Sequence, residues 1–380
     1  MRIKKRTKLI VISHTAHYFN EENKIAGWAP TVNELNYISD NWEEVVHLGC
    51  FNGEKEAPSG LAIYKKSNIR FIPLPYFTDI RSKDGIMVFK NAFRLIRLLE
   101  KEIVEHCDIQ LRLPTGFAFV YLPYFFFRRG KFNLWAKYGG NWIDKNVSKT
   151  FKIQKWFLEK GISVPKATIN GKWTNQKKHI FTFENPCLTD EDINIGKKVI
   201  ANKNWEGSLT AIFVGRLESF KGIDKIINLF DNTTFDKIGK VEIVGDGPLR
   251  AWCEEKAKGN QTLFNFHGFL SQREIHHLLS ESHILILPSE SEGFPKVVAE
   301  GACFGCIPVV TDISCIGQYI THEHGMLINE NSIEGLRKSI MNLNLTPSSK
   351  LKQMAINLNS MASLFTYEAY IVKLRKFILK

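Results

Sequence analysis

Short apolar runs alternate with helical patterns through the second half of the chain, and this alternation constrains the fold more than any other feature. Runs rich in β-branched and aromatic residues predict five strands, at 209–214, 240–245, 262–268, 283–288 and 307–311. Helices are predicted between and after them, at 222–230, 248–258, 271–281, 295–304, 332–343, 348–363 and 366–379. This order predicts an α/β fold with a doubly wound parallel sheet, which binds ligands at the carboxyl ends of its strands.

The first half shows the same alternation. The run KLIVIS at Lys8–Ser13 predicts a buried strand, and we expect a polar loop containing His14, His17 and Gly27 to follow it. Further strands are predicted at 43–48, 69–74 and 108–113. The helix before the last of these has an apolar stripe, formed by Ile86, Phe89, Phe93, Ile96, Leu99 and Ile103. This pattern predicts a second parallel sheet.

Length and charge separate the two halves. A chain of 380 residues exceeds the size of one core, so two domains are expected, with a connection near 181–192 where the composition changes. Residues 1–187 hold 30 Lys and Arg against 17 Asp and Glu, a charge of +13, whereas the rest holds 21 against 22. The basic half indicates a polyanionic partner, such as a phosphorylated substrate, an anionic membrane surface or nucleic acid, unless its lysines only solvate the surface.

Three other features have ordinary structural explanations. Cys303 and Cys306 form a CxxC that suits a zinc site or a redox pair, but their apolar context favours buried thiols at a helix end. Asp190–Asp192 is formally a DxD metal motif, although an acidic helix start is commoner. Residues 116–135 are aromatic and then basic, which fits a membrane-interface segment or, as we favour, a core helix with an exposed basic end. That end carries Arg128, Arg129 and Lys131.

The chain is expected in the cytoplasm, with attachment to the inner face of the membrane left open. Its seven cysteines are scattered and odd in number, which disfavours a disulfide scaffold. No apolar run reaches the roughly 20 residues that a membrane-spanning helix needs, and the apolar stretch near the start is too short for a signal peptide.

Three predicted strand-to-helix loops contain residues that suit a nucleotide. In VGRLESFKGID, Arg216 and Lys221 place two cations beside a helix start, which suits a diphosphate. In IVGDGPLR, Gly245 and Gly247 permit a tight turn, but the absence of a third glycine disfavours a nicotinamide cofactor.

The third loop, PSESEGFPKVVAEGACFG, separates two glutamates by seven residues. Glu292 lies in the loop, Pro295 suits the first turn of a helix, and Glu300 lies one and a half turns into that helix. Carboxylates accept paired hydrogen bonds from vicinal hydroxyls, as in ribose and hexose recognition. Two cations, two carboxylates and glycine turns in successive loops together predict a nucleotide-sugar site.

The motifs GRLESFKG, VGDGPLR, FHGFLS and EGFPKVVAEG followed by GCIPVVTD resemble the donor domain of GT-B glycosyltransferases, specifically the retaining family 4 enzymes. The resemblance covers 205–330 well and the first half in outline. It implies two Rossmann-like doubly wound domains that face a cleft. The implied divisions are an acceptor domain at 1–185, a donor domain at 186–364 and a C-terminal helix at 365–380 that packs on the first domain.

The resemblance also implies roles for individual residues. Arg216 and Lys221 would neutralise the diphosphate, Glu292 would contact the transferred sugar, and Glu300 would bind the ribose. The implied catalytic set is Arg216, Lys221 and Glu292, and the implied donor-binding set is Gly215, Gly245, Gly247, His267, Gly268, Gly293, Phe294, Pro295, Lys296, Val297 and Glu300. In this set the base lies near His267 and Gly268, and backbone at 293–297 holds sugar and phosphate. No metal or other cofactor is implied.

The acceptor side matches the family less well. The glycine pair of the family is represented only by Gly27 followed by Trp28, and the usual pocket histidine has no clear counterpart. The candidates on this side are His14, Gly27, Arg112, Tyr138 and Asn141, with Lys137 and Trp142 as further positions to test.

The expected activity is transfer of a hexose from a nucleoside diphosphate sugar to a hydroxyl of a glycan or lipid-linked glycan, with retention. Alternatives on the same scaffold are an epimerase, a phosphorylase and a catalytically silent nucleotide-sugar binding protein. Nucleic-acid binding is disfavoured because no recognised basic and aromatic motif is present.

Overall fold

The computed structural model describes residues 5–53, 57–76, 88–128, 130, 132–144, 147–231, 233–260 and 262–379. Within these, the chain forms two compact units. The first comprises residues 1–183 and 371–380, and the second comprises residues 184–370.

The first unit is built on a sheet of nine strands. They are β1 (Arg6–Phe19), β2 (Ile25–Trp28), β3 (Trp42–Phe51), β4 (Leu61–Ile63), β5 (Ile69–Leu74), β6 (Asp108–Leu113), β7 (Asn133–Tyr138), β8 (Ala167–Ile169) and β9 (Ile180–Thr182). Seven of them form a parallel sheet in the order β5-β3-β1-β6-β7-β8-β9. The end of β1 pairs antiparallel with β2, which in turn pairs with β4.

The helices of this unit whose bounds the described residues give are α1 (Ala29–Ile38), α2 (Ala92–Glu100), α3 (Ala118–Phe127) and α4 (Lys149–Lys160). They cover a sheet whose central strands are apolar, and residues Leu9–Ile12 of β1 are fully buried. Strands buried on both faces read as continuous apolar runs, which is why β1, β3 and β6 were predictable.

The structure corrects two predictions in this unit. The polar loop predicted after KLIVIS is wrong, because β1 continues to Phe19 by pairing with β3 beyond a bulge and with β2. His14 and His17 therefore lie in β1, and Gly27 lies in β2. The stripe predicted along α2 is also wrong in part, because Phe89 and Phe93 are exposed; Ile86 lies outside the described residues.

Segment 116–135 divides into two elements. Its first part is α3, whose Tyr121 and Phe125 are fully buried, so the preferred core-helix prediction is confirmed. Its last residues enter β7. Arg128 ends the helix, and Arg129 and Lys131 lie outside the described residues.

The last residues of the chain belong to the first unit. Helix α12 (Tyr367–Lys373) continues into a wider turn at Leu374–Ile378. The Arg6 guanidinium donates to the Leu379 carbonyl at 2.9 Å and to Asp108 at 2.5 Å, while Lys166 donates to the Ile378 carbonyl at 2.5 Å. These bonds tie the end of the chain to the sheet.

The second unit contains a six-stranded parallel sheet. Its strands are β10 (Leu209–Val214), β11 (Ile238–Val244), β12 (Leu263–Gly268), β13 (Ile284–Leu287), β14 (Ile307–Thr311) and β15 (Met326–Ile328), in the order β12-β11-β10-β13-β14-β15. The helices are α5 (Asp190–Asn202), α6 (Ile223–Asp231), α7 (Arg250–Ala257), α8 (Gln272–Glu281), α9 (Lys296–Cys303), α10 (Ile333–Asn344) and α11 (Ser348–Ala362). All five predicted strands are confirmed. The order reverses between β10 and β13, and ligands bind at such a reversal in open α/β sheets.

The acidic and cysteine motifs have structural roles here. Asp190–Asp192 opens α5, where Asp192 and Thr189 form a reciprocal capping box. The Cys303 and Cys306 thiols are buried and donate to backbone carbonyls, and burial raises the pKa of both.

No helix in the described part of the chain combines the length and apolar character needed to cross a bilayer.

Gly196 marks the closest approach between α5 and α9. A Cβ atom at this position would lie 2.0 Å from the Cys303 carbonyl oxygen, and the Asn359 amide donates to the same oxygen at 2.7 Å. At an open helical site, Gly→Ala stabilises by about 1 kcal/mol. At Gly196, the added methyl group must force α5 and α9 apart.

We therefore expect Gly196→Ala to destabilise the second unit by about 2 kcal/mol, through the overpacking cost. Thermal unfolding would show a fall in Tm of about 4–8 °C. The matched control is Lys197→Ala, at an exposed neighbouring position of the same helix, which should leave Tm nearly unchanged. An equal Tm for Gly196→Ala and wild type would contradict the packing described here.

Candidate functional site

Three loops meet where the strand order reverses in the second unit. We call them the cation loop (215–222, after β10), the glycine loop (245–249, after β11) and the glutamate loop (288–295, after β13). Leu217 N–H donates to the Asp246 carbonyl and Leu249 N–H donates to the Leu217 carbonyl, each at 3.0 Å. Glu290 N–H donates to the Phe220 carbonyl at 2.8 Å. The cation loop is thus joined by backbone bonds to both of the others.

Glycine is required where these loops touch. Gly245 has φ of +129°, and a Cβ atom there would lie 1.9 Å from the Gly215 carbonyl oxygen. Gly222 has φ of +77°, and its Cβ atom would lie 2.4 Å from the Pro288 carbonyl oxygen. At Gly247 the nearest atom would be the Leu217 carbonyl oxygen, at 2.7 Å. The predicted tight turns therefore exist, and their backbones approach each other too closely for a side chain.

The two predicted cations both stand in the cation loop, each beside a carboxylate. The Lys221 ammonium contacts Glu292 of the glutamate loop, so the structure brings together two of the three predicted catalytic residues. Its Nζ atom also lies 5.4 Å from the centre of the Phe220 ring. Arg216 contacts Glu218 and its side chain is 65% exposed. The Arg216 guanidinium is therefore accessible for an incoming anion.

Helix α9 starts directly after the glutamate loop. Pro295 occupies the cap position, one residue before the predicted first turn, and no side chain caps this end of the helix. A helix start carries backbone donors and a partial positive charge, which together attract anions. Lys296 and Val297 form the first turn.

Phe294 and Gly293 contact the interior of the unit. The Phe294 ring is buried and stacks on Phe365, with ring centres 4.5 Å apart, and meets Tyr319 edge-on. The Gly293 carbonyl accepts from the Cys315 thiol at 3.5 Å. Any donor contact from Phe294 must therefore use its backbone.

Glu300 lies in a polar cluster that the sequence did not reveal. Its Oε1 atom accepts from Gln272 Nε2 at 3.3 Å and lies 3.8 Å from His276 Nε2. His276 Nδ1 lies 3.7 Å from Asp192 Oδ1. Gln272 and His276 are four residues apart on α8 and so share a face. Their four-residue spacing is visible in the sequence and indicates a shared polar face. Only the packing shows that this face contacts Glu300 of α9.

His267 and Gly268 form the end of β12. His267 Nε2 lies 2.7 Å from the buried Glu242 carboxylate, which also contacts Lys240 Nζ at 2.7 Å. Burial alone would raise the pKa of Glu242, but the hydrogen bonds from Lys240 and His267 outweigh it and lower that pKa. Gly268 has φ of +68°, and Gly245 N–H donates to its carbonyl at 2.7 Å, which joins β12 to the glycine loop.

The acceptor candidates of the first unit lie in or just after β1, β6 and β7, except for Gly27, which lies in β2. Arg112 and Lys137 both donate to the buried Glu34 carboxylate, at 2.8 and 2.7 Å. Partial loss of hydration and the charge of Arg112 lower the pKa of His14, although part of its side chain reaches solvent. His14 therefore lies near enough to Arg112 to be affected by its charge, and Arg112 shares the Glu34 carboxylate with Lys137.

Tyr138 and Asn141 have structural contacts. The Tyr138 ring is buried and meets Trp142 edge-on with centres 5.2 Å apart, and burial raises the pKa of its hydroxyl. Asn141 Oδ1 accepts from the Ile143 N–H at 3.1 Å.

Gly27 packs against a buried histidine network. A Cβ atom at Gly27 would lie 2.3 Å from the His17 ring. His17 Nε2 and His47 Nδ1 both lie within 2.7 Å of the Tyr64 hydroxyl, and His47 Nε2 lies 2.8 Å from Ser13 Oγ. Burial lowers the pKa of His17 to about 4 and that of His47 further below its ordinary value, so both rings are neutral at pH 7. Gly27 thus makes room for His17.

Comparisons with known proteins match the segment that contains these three loops. Residues 197–359 match the sequence profile described as Glycosyl transferases group 1. An uncharacterized glycosyltransferase of Methanocaldococcus jannaschii is 25% identical over 326 residues, covering 82% of this chain and 86% of the relative. A putative teichuronic acid biosynthesis glycosyltransferase of Bacillus subtilis is 26% identical over 130 residues, 34% of this chain and 31% of the relative.

Among solved structures, HepE of Anabaena in complex with UDP and glucose matches with a TM-score of 0.67 at 13% identity, covering 97% of this chain and 98% of that one. At this identity the match concerns the fold alone, which is the two-sheet α/β arrangement predicted from the resemblance. The matched segment, 197–359, contains the three loops described above, so this part of the chain is similar to the glycosyl transferases group 1, and the whole chain has the GT-B fold.

Proposed function

We propose that this protein transfers a hexose from a nucleoside diphosphate sugar to a hydroxyl of a glycan or lipid-linked glycan, with retention at the anomeric carbon. The observation that carries the proposal is the contact between Lys221 and Glu292, with Arg216 in the same loop. A cation for the diphosphate and a carboxylate for the sugar thus stand side by side at the reversal of the sheet.

The cations supply the main catalytic effect in this proposal. Breaking the glycosidic bond separates an oxocarbenium-like sugar from a diphosphate, on which negative charge accumulates. Fixed positive charge aimed at the departing oxygens stabilises that state more than the ground state. Arg216 and Lys221 would provide it, together with the backbone donors at the start of α9.

In this proposal, Glu292 and Glu300 bind different parts of the donor. Glu292, beside Lys221, would accept hydrogen bonds from hydroxyls of the transferred sugar. Glu300 would accept from the ribose hydroxyls, and Gln272 holds its carboxylate in place. The base would lie near His267 and Gly268, at the end of β12.

The diphosphate itself would take the acceptor proton, and no metal is required. The two cations would neutralise the charge of the diphosphate, as a divalent metal ion does in other phosphate sites. No further general base is assigned among the residues of the donor loops.

The comparisons support this donor and product class. HepE holds UDP and glucose, and the Bacillus subtilis relative is named for the biosynthesis of teichuronic acid. By analogy, the donor here would be a UDP-sugar or a related nucleotide sugar, and the product a cell-surface polysaccharide or its precursor.

The acceptor side is assigned to the first unit. His14, Arg112 and Lys137 would meet the acceptor, with Gly27, Tyr138 and Asn141 shaping their surroundings. The cations suit an acceptor that carries phosphate, as lipid-linked glycans do. The reaction would then take place in the cytoplasm, at the inner face of the membrane, without nucleic acid.

Replacing Arg216 tests the role of the exposed cation. Arg216→Ala should lower kcat by about 10²–10³-fold, because one charge on the leaving group is lost. The measurement is release of nucleoside diphosphate at saturating donor. Lys256→Ala removes a surface ion pair on α7 and serves as the matched control, with unchanged kcat expected. Unchanged turnover in Arg216→Ala would overturn the assignment.

Incubation with donor alone separates the transferase from the alternatives. Without acceptor, we expect only slow hydrolysis of the nucleotide sugar, followed by mass spectrometry and proton NMR. With a glycan or lipid extract, the new bond should keep the anomeric configuration of the donor. Conversion of the donor to an isomer without acceptor would indicate an epimerase, and an inverted product would contradict retention.

A further inference from the structure

We propose that a face of the first unit docks on the surface of an anionic lipid bilayer. This aromatic–basic face consists of exposed residues on α2, α3 and the helical residues just before α2. Its members are Phe89, Lys90, Phe93, Arg94, Arg97, Lys101, Phe126 and Phe127. The inference deepens the proposed function, since a lipid-linked acceptor would be reached at such a surface, but its test requires no turnover.

Four phenylalanines on this face point into solvent. Phe89 is 61% exposed, Phe93 is 77% exposed and Phe127 is 82% exposed, with Phe126 beside it. Their rings form no part of the core, although the helical spacing of Phe89 and Phe93 predicted burial. Clustered exposed apolar side chains mark a surface that another apolar phase covers.

Basic residues run alongside the aromatic ones. Arg94, Arg97 and Lys101 recur at spacings of three and four residues, which places them in one row along α2 and its C-terminal cap. Lys90 lies just before this helix. All four are exposed. Glu100 is the one acidic residue in the stretches 88–101 and 118–128, and Arg128 contacts it. The face therefore carries a clear excess of positive charge.

The two helices contact each other directly. The Tyr121 hydroxyl of α3 donates to the Leu95 carbonyl of α2 at 3.2 Å, and Tyr124 donates to Glu100 at 3.4 Å. Beneath them Leu95, Leu99 and Phe125 are fully buried. The inner sides of both helices are thus fixed to the core, and the exposed phenylalanines and cations lie on the remaining helix surfaces.

This combination fits a bilayer better than a protein. Aromatic rings enter the level of the headgroups, while a row of cations is attracted to anionic phospholipids. A symmetric dimer through this face would place the cationic row of one copy against that of its partner, and like charges repel. We therefore assign the anionic membrane as the occupant.

The test is co-sedimentation of the full chain with vesicles. One set is phosphatidylcholine alone, and the other is an equal mixture of phosphatidylcholine and phosphatidylglycerol. Wild type should bind the anionic vesicles and not the neutral ones, and added salt should weaken binding. The double variants Arg94→Glu with Arg97→Glu, and Phe93→Ser with Phe127→Ser, should each lower affinity at least about tenfold.

Controls separate docking from general charge and folding effects. Lys197→Glu with Lys198→Glu changes an equal charge on exposed positions of α5, and Trp156→Ser removes a half-exposed aromatic of α4. Both should bind as wild type does, and all variants should keep the wild-type Tm. Arg94→Lys with Arg97→Lys should retain binding.

Equal binding of wild type to both vesicle types, or undiminished binding of the face variants, would overturn the proposal. A dimer in solution that the face variants dissociate, without any vesicle binding, would overturn it in favour of a second copy. None of these outcomes concerns the donor loops, because no nucleotide sugar is present. The proposed donor chemistry is therefore tested independently of membrane docking.

Discussion

The proposed donor site depends on the close approach of the backbones of neighbouring loops. Gly245 lies so near to the Gly215 carbonyl that it has no room for a side chain, and Gly222 approaches the Pro288 carbonyl in the same way. These contacts bring the loops after β10, β11 and β13 into one surface at the reversal of the sheet. The cations and carboxylates then occupy positions that the fold fixes before any ligand arrives, and such preorganisation is what electrostatic catalysis requires.

Charge is organised differently in the two units. In the second unit each donor-loop cation meets a carboxylate, so the positive groups are balanced locally and the unit is near neutral. In the first unit, Glu34 lies between Arg112 and Lys137, and a row of cations on α2 stands in solvent. Part of the net charge of +13 in the N-terminal half thus lies near the proposed acceptor residues, and another part lies on an exposed helix face.

The second unit was predictable because its strands are short, apolar and evenly spaced, so that sequence and fold agree at every element. Short strands such as β8, β9 and β15 have three residues each, too few for any periodicity to appear. β1 is longer than predicted. Its second half is polar and is held in the sheet by pairing with β2 and β3, which a sequence pattern does not show. The burial of Phe89 and Phe93 was wrongly predicted for a related reason. Helical spacing identifies an apolar stripe, but it does not show whether another element packs against that stripe.

The proposed donor residues could be identified from motifs, whereas the residues that contact them could not. Arg216, Lys221 and Glu292 stand in loops that a glycine and charge pattern identifies directly. Gln272 and His276 lie on an unremarkable polar helix, and only its packing against α9 brings them to Glu300. The Ser13, His47 and Tyr64 network is likewise assembled from three separate strands or loops.

The most direct test of the central claim is whether the protein binds a nucleoside diphosphate. Thermal unfolding would be followed with UDP, GDP, ADP and their sugars, since a ligand that binds only the native state raises Tm. The account predicts that one nucleotide family raises Tm in wild type and that its nucleoside, which lacks the diphosphate, does not. If no member of the panel raises Tm, the donor loops do not bind a nucleotide sugar and the account is wrong.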